Sequence, residues 1–400
     1  MKALNKLINF KMPRKGDRLI HFSVLILLLL GTLMIISTSV GETYTSDIIV
    51  YKTIIKQVAF GILAYFIMVQ FANKFTMKGA LKKAHSIGHI LVIMLFACLL
   101  FDSVGGAQCW IRFKIPFLGE MTIQPSEFMK VFMIVIMACI VERSRKKNWD
   151  CWTIIKIPFI FYCLTAIAIF LQNDLGSFIV VSLICSICLL LPTHPNLAKF
   201  QQIVFWALVG GGLLVVFLAS DLGIGILESM DFIPSYMIGR FKTASDPWFD
   251  PIGSGYQLIQ SLYAFASGGL QGLGFGQSIQ KLMYLPEAET DYILAITVEE
   301  LGIIGFGLIF LGYLTIIGRL ITYALHSKKE SYKIIYIGTA LYLFIHFVFN
   351  VGGVCGFIPL TGVPLLFISS GSSSLWSICI AIGICQAILS EENRERIKEG

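Results

Sequence analysis

Charge is what this sequence has least of. Asp, Glu, Lys and Arg together make up 14% of its 400 residues, against 56% hydrophobic, and the mean hydropathy is +0.80. A chain this poor in polar surface is not a string of soluble domains; it reads as a polytopic membrane protein. The net charge of +7 argues for basic loops on one membrane side rather than for nucleic acid. No metal spacing occurs among the histidines: His85 and His89 stand four apart, but no carboxylate accompanies them. Nor is there a disulfide framework. Of ten cysteines, Cys98, Cys139, Cys163, Cys185, Cys188, Cys379 and Cys385 lie in apolar runs and read as small buried hydrophobes. Cys185 and Cys188 lack the second pair that a zinc site needs, and a Cys109–Cys355 bridge is left open. The glycine cluster Gly268, Gly269, Gly272, Gly274 and Gly276 is followed by no Gly-Lys-Ser/Thr, so nothing supports a nucleotide-phosphate loop. The first apolar run has basic residues ahead of it but no small-residue cleavage site, so it is read as a retained helix.

What is present is a series of apolar runs. Hydropathy gives ten spans, at 19–40, 54–72, 86–101, 123–141, 154–172, 175–191, 203–220, 291–323, 333–354 and 364–389. The expected fold is an all-α polytopic integral membrane protein of about ten transmembrane helices. Six Trp and fourteen Tyr suit its two interfacial belts. Lys2, Lys6, Lys11, Arg14, Lys15, Arg18, then Lys74, Lys78, Lys82, Lys83, then Arg143, Arg145, Lys146, Lys147, then Lys328 and Lys329 all fall on one side if the spans alternate. This places both termini in the cytoplasm. The chain then divides into a cytoplasmic basic segment (1–18), a membrane domain (19–389) and a cytoplasmic tail (390–400). One long extracellular loop, 221–290, joins spans 7 and 8, and it is acidic, with Asp221, Glu228, Asp231, Asp246, Asp250, Glu287 and Glu289. Packing alone does not require such a length, so the loop is read as functional, with 252–273 as an interfacial or re-entrant helix.

Four polar clusters gather toward the side opposite the basic loops. Gly255–Gly305 hands a polar, glycine-punctuated segment to an apolar helix at Thr290-Asp291, and it carries Glu299 and Glu300 further in. Carboxylates at a membrane lip are costly and default to function, so Asp291 is the leading candidate; an ion pair is the structural alternative for Glu299 and Glu300. Gly106–Lys130 places Trp110 and Arg112 ahead of Ser126, Glu127 and Lys130. Glu127 and Lys130 share a helix face, either as an interfacial salt bridge under a Ser126 cap or as part of a basic, aromatic site for an anionic lipid headgroup. Leu171–Phe178 is a sharp re-entry in which Asp174 is either a cap or a functional group. Phe357–Trp376 opens the last span with Ser369, Ser370, Ser372, Ser373 and Ser374, which either back-bond to their own helix or line a pocket with hydroxyls.

Together these stretches resemble the SEDS family (shape, elongation, division and sporulation), typified by FtsW, RodA and SpoVE. The likeness spans nearly the whole chain. The wording YQLIQSLYAFASGGL and GQSIQKLMYLPEAETDYI lies closer to the FtsW/SpoVE branch. The resemblance implies a glycosyltransferase polymerising lipid II, the undecaprenyl-pyrophosphoryl disaccharide-peptide, at the outer face of the cell membrane. Asp291 matches the family's essential aspartate and would be the general base. Trp110, Glu127 and Lys130 match positions near the family's cavity. Lys130, Arg240 and Lys281 are candidates for the pyrophosphate charge, and Ser369 and Ser373 for substrate contact. The implied partners are a class B penicillin-binding protein transpeptidase, other divisome or elongasome membrane proteins and the bilayer, with no nucleic acid. No cofactor is called for, and a divalent cation is left open. Rival readings are a lipid-linked oligosaccharide flippase and a noncatalytic divisome scaffold. The sequence departs from the family pattern at Cys109 (usually Arg), Asn173 (usually Pro) and Glu289 (usually His). Its last motif, LLFISSGSSS, lacks the family's Pro, Tyr and second Gly. Glu289, two residues from Asp291, is expected to raise the pKa of Asp291 where the two approach.

Overall fold

Within a bilayer the backbone can hydrogen-bond only to itself, and apolar runs of twenty residues therefore become helices. The computed structural model describes residues 11–399 apart from 43–46, 104, 116–118, 145, 146, 148, 230–234 and 283. Lys2, Lys6, Arg145 and Lys146, used above to orient the chain, and Asp231 of the acidic loop lie outside the described residues. The helices are α1 (Arg18–Glu42), α2 (Asp47–Lys74), α3 (Met77–Ala97), α4 (Pro125–Ser144), α5 (Cys151–Leu171), α6 (Leu175–Leu190), α7 (Ala198–Leu218), α8 (Asp221–Glu228), α9 (Ser235–Ser245), α10 (Tyr256–Gly268), α11 (Ile293–His326), α12 (Glu330–Val354) and α13 (Ser372–Glu399).

Among the described residues eight helices are long and apolar enough to cross a membrane: α1, α2, α3, α5, α7, α11, α12 and α13. The fourth and sixth expected spans coincide with α4, which carries Glu127 and Lys130, and α6, which has only 16 residues. Several limits move. α3 begins nine residues before the expected 86, because Thr76 caps it by accepting from Gly79 N. The last helix starts at Ser372 rather than 364, and it runs on through the expected tail. One element breaks the all-helical expectation: Ile111–Ile115 (β1) pairs antiparallel with Gly119–Ile123 (β2), Phe113 opposite Met121.

α13 is the most enclosed of the spanning helices, packed between α2 and α4, and α11 lies against α12, α1 and α10. α7 buries none of its residues, and its apolar side chains face outward all round, as a lipid-exposed helix does. The charged helix ends meet at one end of the bundle. There Asp17, ahead of α1, accepts from Arg319 Nε of α11 at 2.6 Å and from the Tyr323 hydroxyl, while its main chain is held by Gln386 of α13. Burial raises the Asp17 carboxyl, but these hydrogen bonds outweigh it and hold the pKa below the ordinary value.

The long loop is not one segment but α8, α9, α10 and a glycine-rich turn that folds back against α11. α11 is itself broken at Gly302, where φ is 65° and ψ −165°. Leu273 N donates to Glu299 O at 2.8 Å, Gly274 N to Glu300 O at 3.0 Å and Ile303 N to Gly269 O at 3.0 Å, so the groups freed by the break are met by this turn. A Cβ at Gly302 would stand 2.3 Å from Leu270 O. Gly302→Ala is therefore expected to destabilise the protein by about 2–4 kcal/mol, while Gly307→Ala, in open space on the same helix, is neutral or mildly stabilising. Thermal unfolding in detergent distinguishes the two.

Candidate functional site

Asp291 lies in the turn two residues ahead of α11. The turn is drawn tight by Thr290 N and Tyr292 N, both donating to Glu287 O at 3.2 Å, with Glu287 in the left-handed region at φ 56°. The segment between α12 and α13 holds it from the other side. Ser369 Oγ donates to Thr290 O at 2.7 Å, and Ser370 N donates to Glu289 O at 3.0 Å. Asn350 of α12 spans the two segments, its Nδ2 donating to Asp291 O at 3.0 Å and Val363 O at 3.2 Å. Gly362, whose φ of 71° few residues with a side chain adopt, lies beside the carboxylate: a Cβ there would stand 3.7 Å from Asp291 Oδ2.

Protein crowds Asp291 on most sides, although some of its surface stays open to solvent. Loss of water pushes its pKa up to about 6; the Glu287 carboxylate adds to the rise and the Arg240 guanidinium opposes it. The neighbouring acid is thus Glu287 rather than the expected Glu289, whose carbonyl is taken by the Ser370 amide. Arg240, on α9, is exposed.

Beneath this turn lies a buried polar chain. Lys130 Nζ is 2.7 Å from Glu127 Oε1 and 3.2 Å from His346 Nε2. His346 Nδ1 lies 3.0 Å from Pro364 O and so carries the ring proton, leaving Nε2 to accept from the ammonium. The Tyr342 hydroxyl donates to Glu127 Oε2 at 2.6 Å and meets Ser377 Oγ at 2.7 Å. Lys130 and Glu127 are each 1% exposed, which is the paired state a charge needs at this depth. Ser126 does not cap α4, because the helix already begins at Pro125; its hydroxyl reaches Ser177 Oγ at 3.3 Å instead. Gln124 gathers three segments: its amide N donates to Ser373 Oγ at 2.9 Å and its Nε2 to Asp174 Oδ2 at 2.9 Å, while Asp174 Oδ1 caps α6 through Ser177 N at 3.0 Å. Gln108 N donates to Gln172 O at 2.9 Å, bringing the stretch that leads to Trp110 beside the same re-entry; Trp110 is half-buried.

Lys281 lies elsewhere. Its Nζ is 2.7 Å from Glu300 Oε1 and 2.9 Å from Ser37 Oγ, in a buried pair. Glu299 accepts from Ile279 N at 3.1 Å, Gln280 N at 3.3 Å and the Ser278 hydroxyl. The two carboxylates thus hold the glycine-rich turn, with Lys281 neutralising one of them. Among the described residues no group of three or more His, Cys, Asp or Glu is placed to hold a metal ion, and every described cysteine is free, Cys109 and Cys355 included.

Sequence reasoning brought forward Asp291, Glu127, Lys130, Ser369 and Ser373, and the structure gathers these at one end of the bundle. Tyr342, His346 and Asn350 were missed as site residues. Their signal is present, for the three recur at i, i+4 and i+8 in an otherwise apolar span and so share one helix face. Because the folded pKa of Asp291 lies above its unfolded value, its ionised form costs stability above pH 6 and nothing below about 4. Asp291→Asn is therefore expected to raise the thermal midpoint at pH 8 and to leave it unchanged at pH 4.

The profile of the FtsW/RodA/SpoVE cell cycle protein family matches residues 17–394. The probable peptidoglycan glycosyltransferase FtsW of Lactococcus lactis is 32% identical over 96% of this chain and 95% of its own length. Stage V sporulation protein E of Bacillus subtilis is 35% identical over 74% and 76% respectively. Among solved structures, a chain of a peptidoglycan synthase complex that coordinates polymerization and crosslinking superposes with a TM-score of 0.66 at 21% identity, covering 94% of this chain and 98% of the other. The rod shape determining protein RodA of Thermus thermophilus gives 0.59 at 19% identity over 94% and 96%. At these identities the structural likeness speaks for the fold, and the sequence matches speak for the family. With almost its whole length matched, the chain belongs to the FtsW/RodA/SpoVE family of cell cycle proteins.

Proposed function

We propose that this protein is a peptidoglycan glycosyltransferase that polymerises lipid II into glycan strands, with Asp291 as general base. One observation carries the reading: the Asp291 carboxylate, largely shielded from water and acted on by the charges of Glu287 and Arg240, stands at the lip of a membrane helix where segments far apart in the sequence converge. The acceptor sugar's 4-hydroxyl gives its proton to Asp291 as its oxygen bonds to the donor's anomeric carbon. The anomeric carbon–oxygen bond to the lipid pyrophosphate breaks, and the pyrophosphate leaves with the electron pair. A carboxylate of pKa near 6 is ionised at neutral pH and a stronger base than an ordinary aspartate, which suits this task. The leaving group is already good, so neither a second carboxylate nor a covalent nucleophile is needed, only positive charge where the pyrophosphate departs.

Three cations were candidates for that charge. Lys130 and Lys281 are enclosed with Glu127 and Glu300 in buried pairs, whereas Arg240 is solvent-accessible and its charge acts on Asp291, so the pyrophosphate is assigned to Arg240 on accessibility. Lys130, Ser369 and Ser373 then act by fixing the bed on which the Asp291 turn rests. The site faces outside, opposite the basic end, with residues 19–389 as the membrane domain and 221–290 as its external loop. The lipid tail of the substrate stays in the bilayer while its sugars reach the turn. The working partner is a class B penicillin-binding protein that crosslinks the product; the coupled polymerization and crosslinking of the related complex support this reading.

The test is glycan-strand formation from purified lipid II, with the partner's transpeptidase blocked. Wild type is expected to make polymer and the folded Asp291→Ala variant at least about 100-fold less; equal polymer from both sinks the assignment. The acid limb of the wild-type rate profile is expected near pH 6. Glu287→Gln should shift that limb to lower pH by removing a like charge, and Arg240→Gln should shift it higher while raising KM for lipid II.

A further inference from the structure

α2 and α3 are joined by only Phe75 and Thr76, yet the two helices scarcely touch: α2 packs on α13 and α1, α3 on α4 and α5. Between them opens a groove of about 490 Å³, walled by α2, α3, α4 and α13. Its cause is local. α3 lines this side with Gly79, Ala80 and Ala84, small residues that leave room between it and the large side chains of Phe71 on α2 and Phe128 on α4. Apart from Gln70, Thr76 and two lysines the lining is apolar, and a hollow of this kind, open to the bilayer, fills with hydrocarbon.

Its mouth is different. Lys74, the last residue of α2, and Lys83, about one turn and a half into α3, both line the groove from separate helices and both are exposed. Lone lysines at helix ends usually extend to the headgroup layer singly. Two ammonium groups flanking one apolar groove from separate helices instead make a headgroup site, with Lys78 and Lys82 on the same stretch adding to the field. This is also the end at which basic residues collect, hence the cytoplasmic leaflet.

We propose that this groove binds an anionic phospholipid of the cytoplasmic leaflet, its phosphate between Lys74 and Lys83 and an acyl chain along Phe71, Ile87 and Phe132. The site is at the opposite end of the bundle from Asp291, and the proposal does not depend on the assigned reaction.

Native mass spectrometry of the full-length protein, titrated with dioleoylphosphatidylglycerol or dioleoylphosphatidylcholine, tests it. One retained phosphatidylglycerol is expected in preference to phosphatidylcholine. Lys74→Gln with Lys83→Gln should weaken phosphatidylglycerol binding about 30-fold and abolish the preference. Ala80→Phe, which fills the groove and keeps both lysines, should remove the bound lipid. All three substituted positions are exposed or half-buried, and an unchanged thermal midpoint confirms folding. Equal binding of the two lipids by wild type, or full phosphatidylglycerol binding by both variants, overturns the proposal. Displacement of phosphatidylglycerol by a lower concentration of undecaprenyl phosphate assigns the groove to the lipid carrier and overturns it as well.

Discussion

A helix interrupted inside a membrane must have its freed backbone groups met by protein, and in this fold one turn meets them. The break at Gly302 is satisfied by Gly269, Leu270, Leu273 and Gly274, and the close approach is open only to residues without a side chain. A Cβ at Gly268 would stand 2.1 Å from Val298 O, and one at Gly272 would stand 2.2 Å from Glu300 O. Glu299 and Glu300 then extend the lock outward, accepting from the chain between Gly276 and Lys281. Only a short path remains from Lys281 to Ile293, and the position of Asp291 follows from it. The carboxylate at the lip is thus placed by a broken helix deeper in the membrane together with the hydrogen bonds that Asn350, Ser369 and Ser370 make to its turn.

The buried charges divide by role. Glu127 with Lys130 and Glu300 with Lys281 are closed pairs whose remaining valences are taken by Tyr342, His346, Ser37 and backbone amides. Such pairs add little net stability, since desolvation offsets their attraction, but breaking one strands a charge and is severely costly. They serve to fix geometry. His346 links Lys130 to Pro364 O, and Asn350 links Asp291 O to Val363 O, so α12 carries both the floor and the rim of the site. Above this neutral bed Asp291 is raised toward the pH of its surroundings, and Arg240 is the exposed cation that acts on it.

The sequence made legible whatever depends on local pattern. Apolar runs located the helices, the three-residue spacing of Glu127 and Lys130 foretold their pair, and Asp174 reads as the cap it is. It concealed what depends on distant partners. Nothing local says that Lys281 faces Glu300 and Ser37 from the first span, or that Ser373 binds Gln124 across the bundle. The hairpin at Ile111–Ile123 was hidden because its short alternation sits among residues read for their charge. Asp17 was passed over because a lone acid in a basic leader looks solvated, whereas it ties α1 to Arg319, Tyr323 and Gln386.

The departures from the family pattern have physical consequences at the re-entry before α6. Asn173 has φ 57°, a conformation that asparagine tolerates and that proline, locked near −65°, cannot enter. The turn here must therefore differ in backbone from one built on proline, yet Asp174 still caps α6 and still receives Gln124 Nε2. Cys109, where the pattern has arginine, is buried with its thiol against Asp174. Asp174 is thus met by Gln124, Ser177 and the Cys109 thiol, all neutral, in place of a guanidinium. The charge of Arg240 acts on Asp291 from the exposed face of α9.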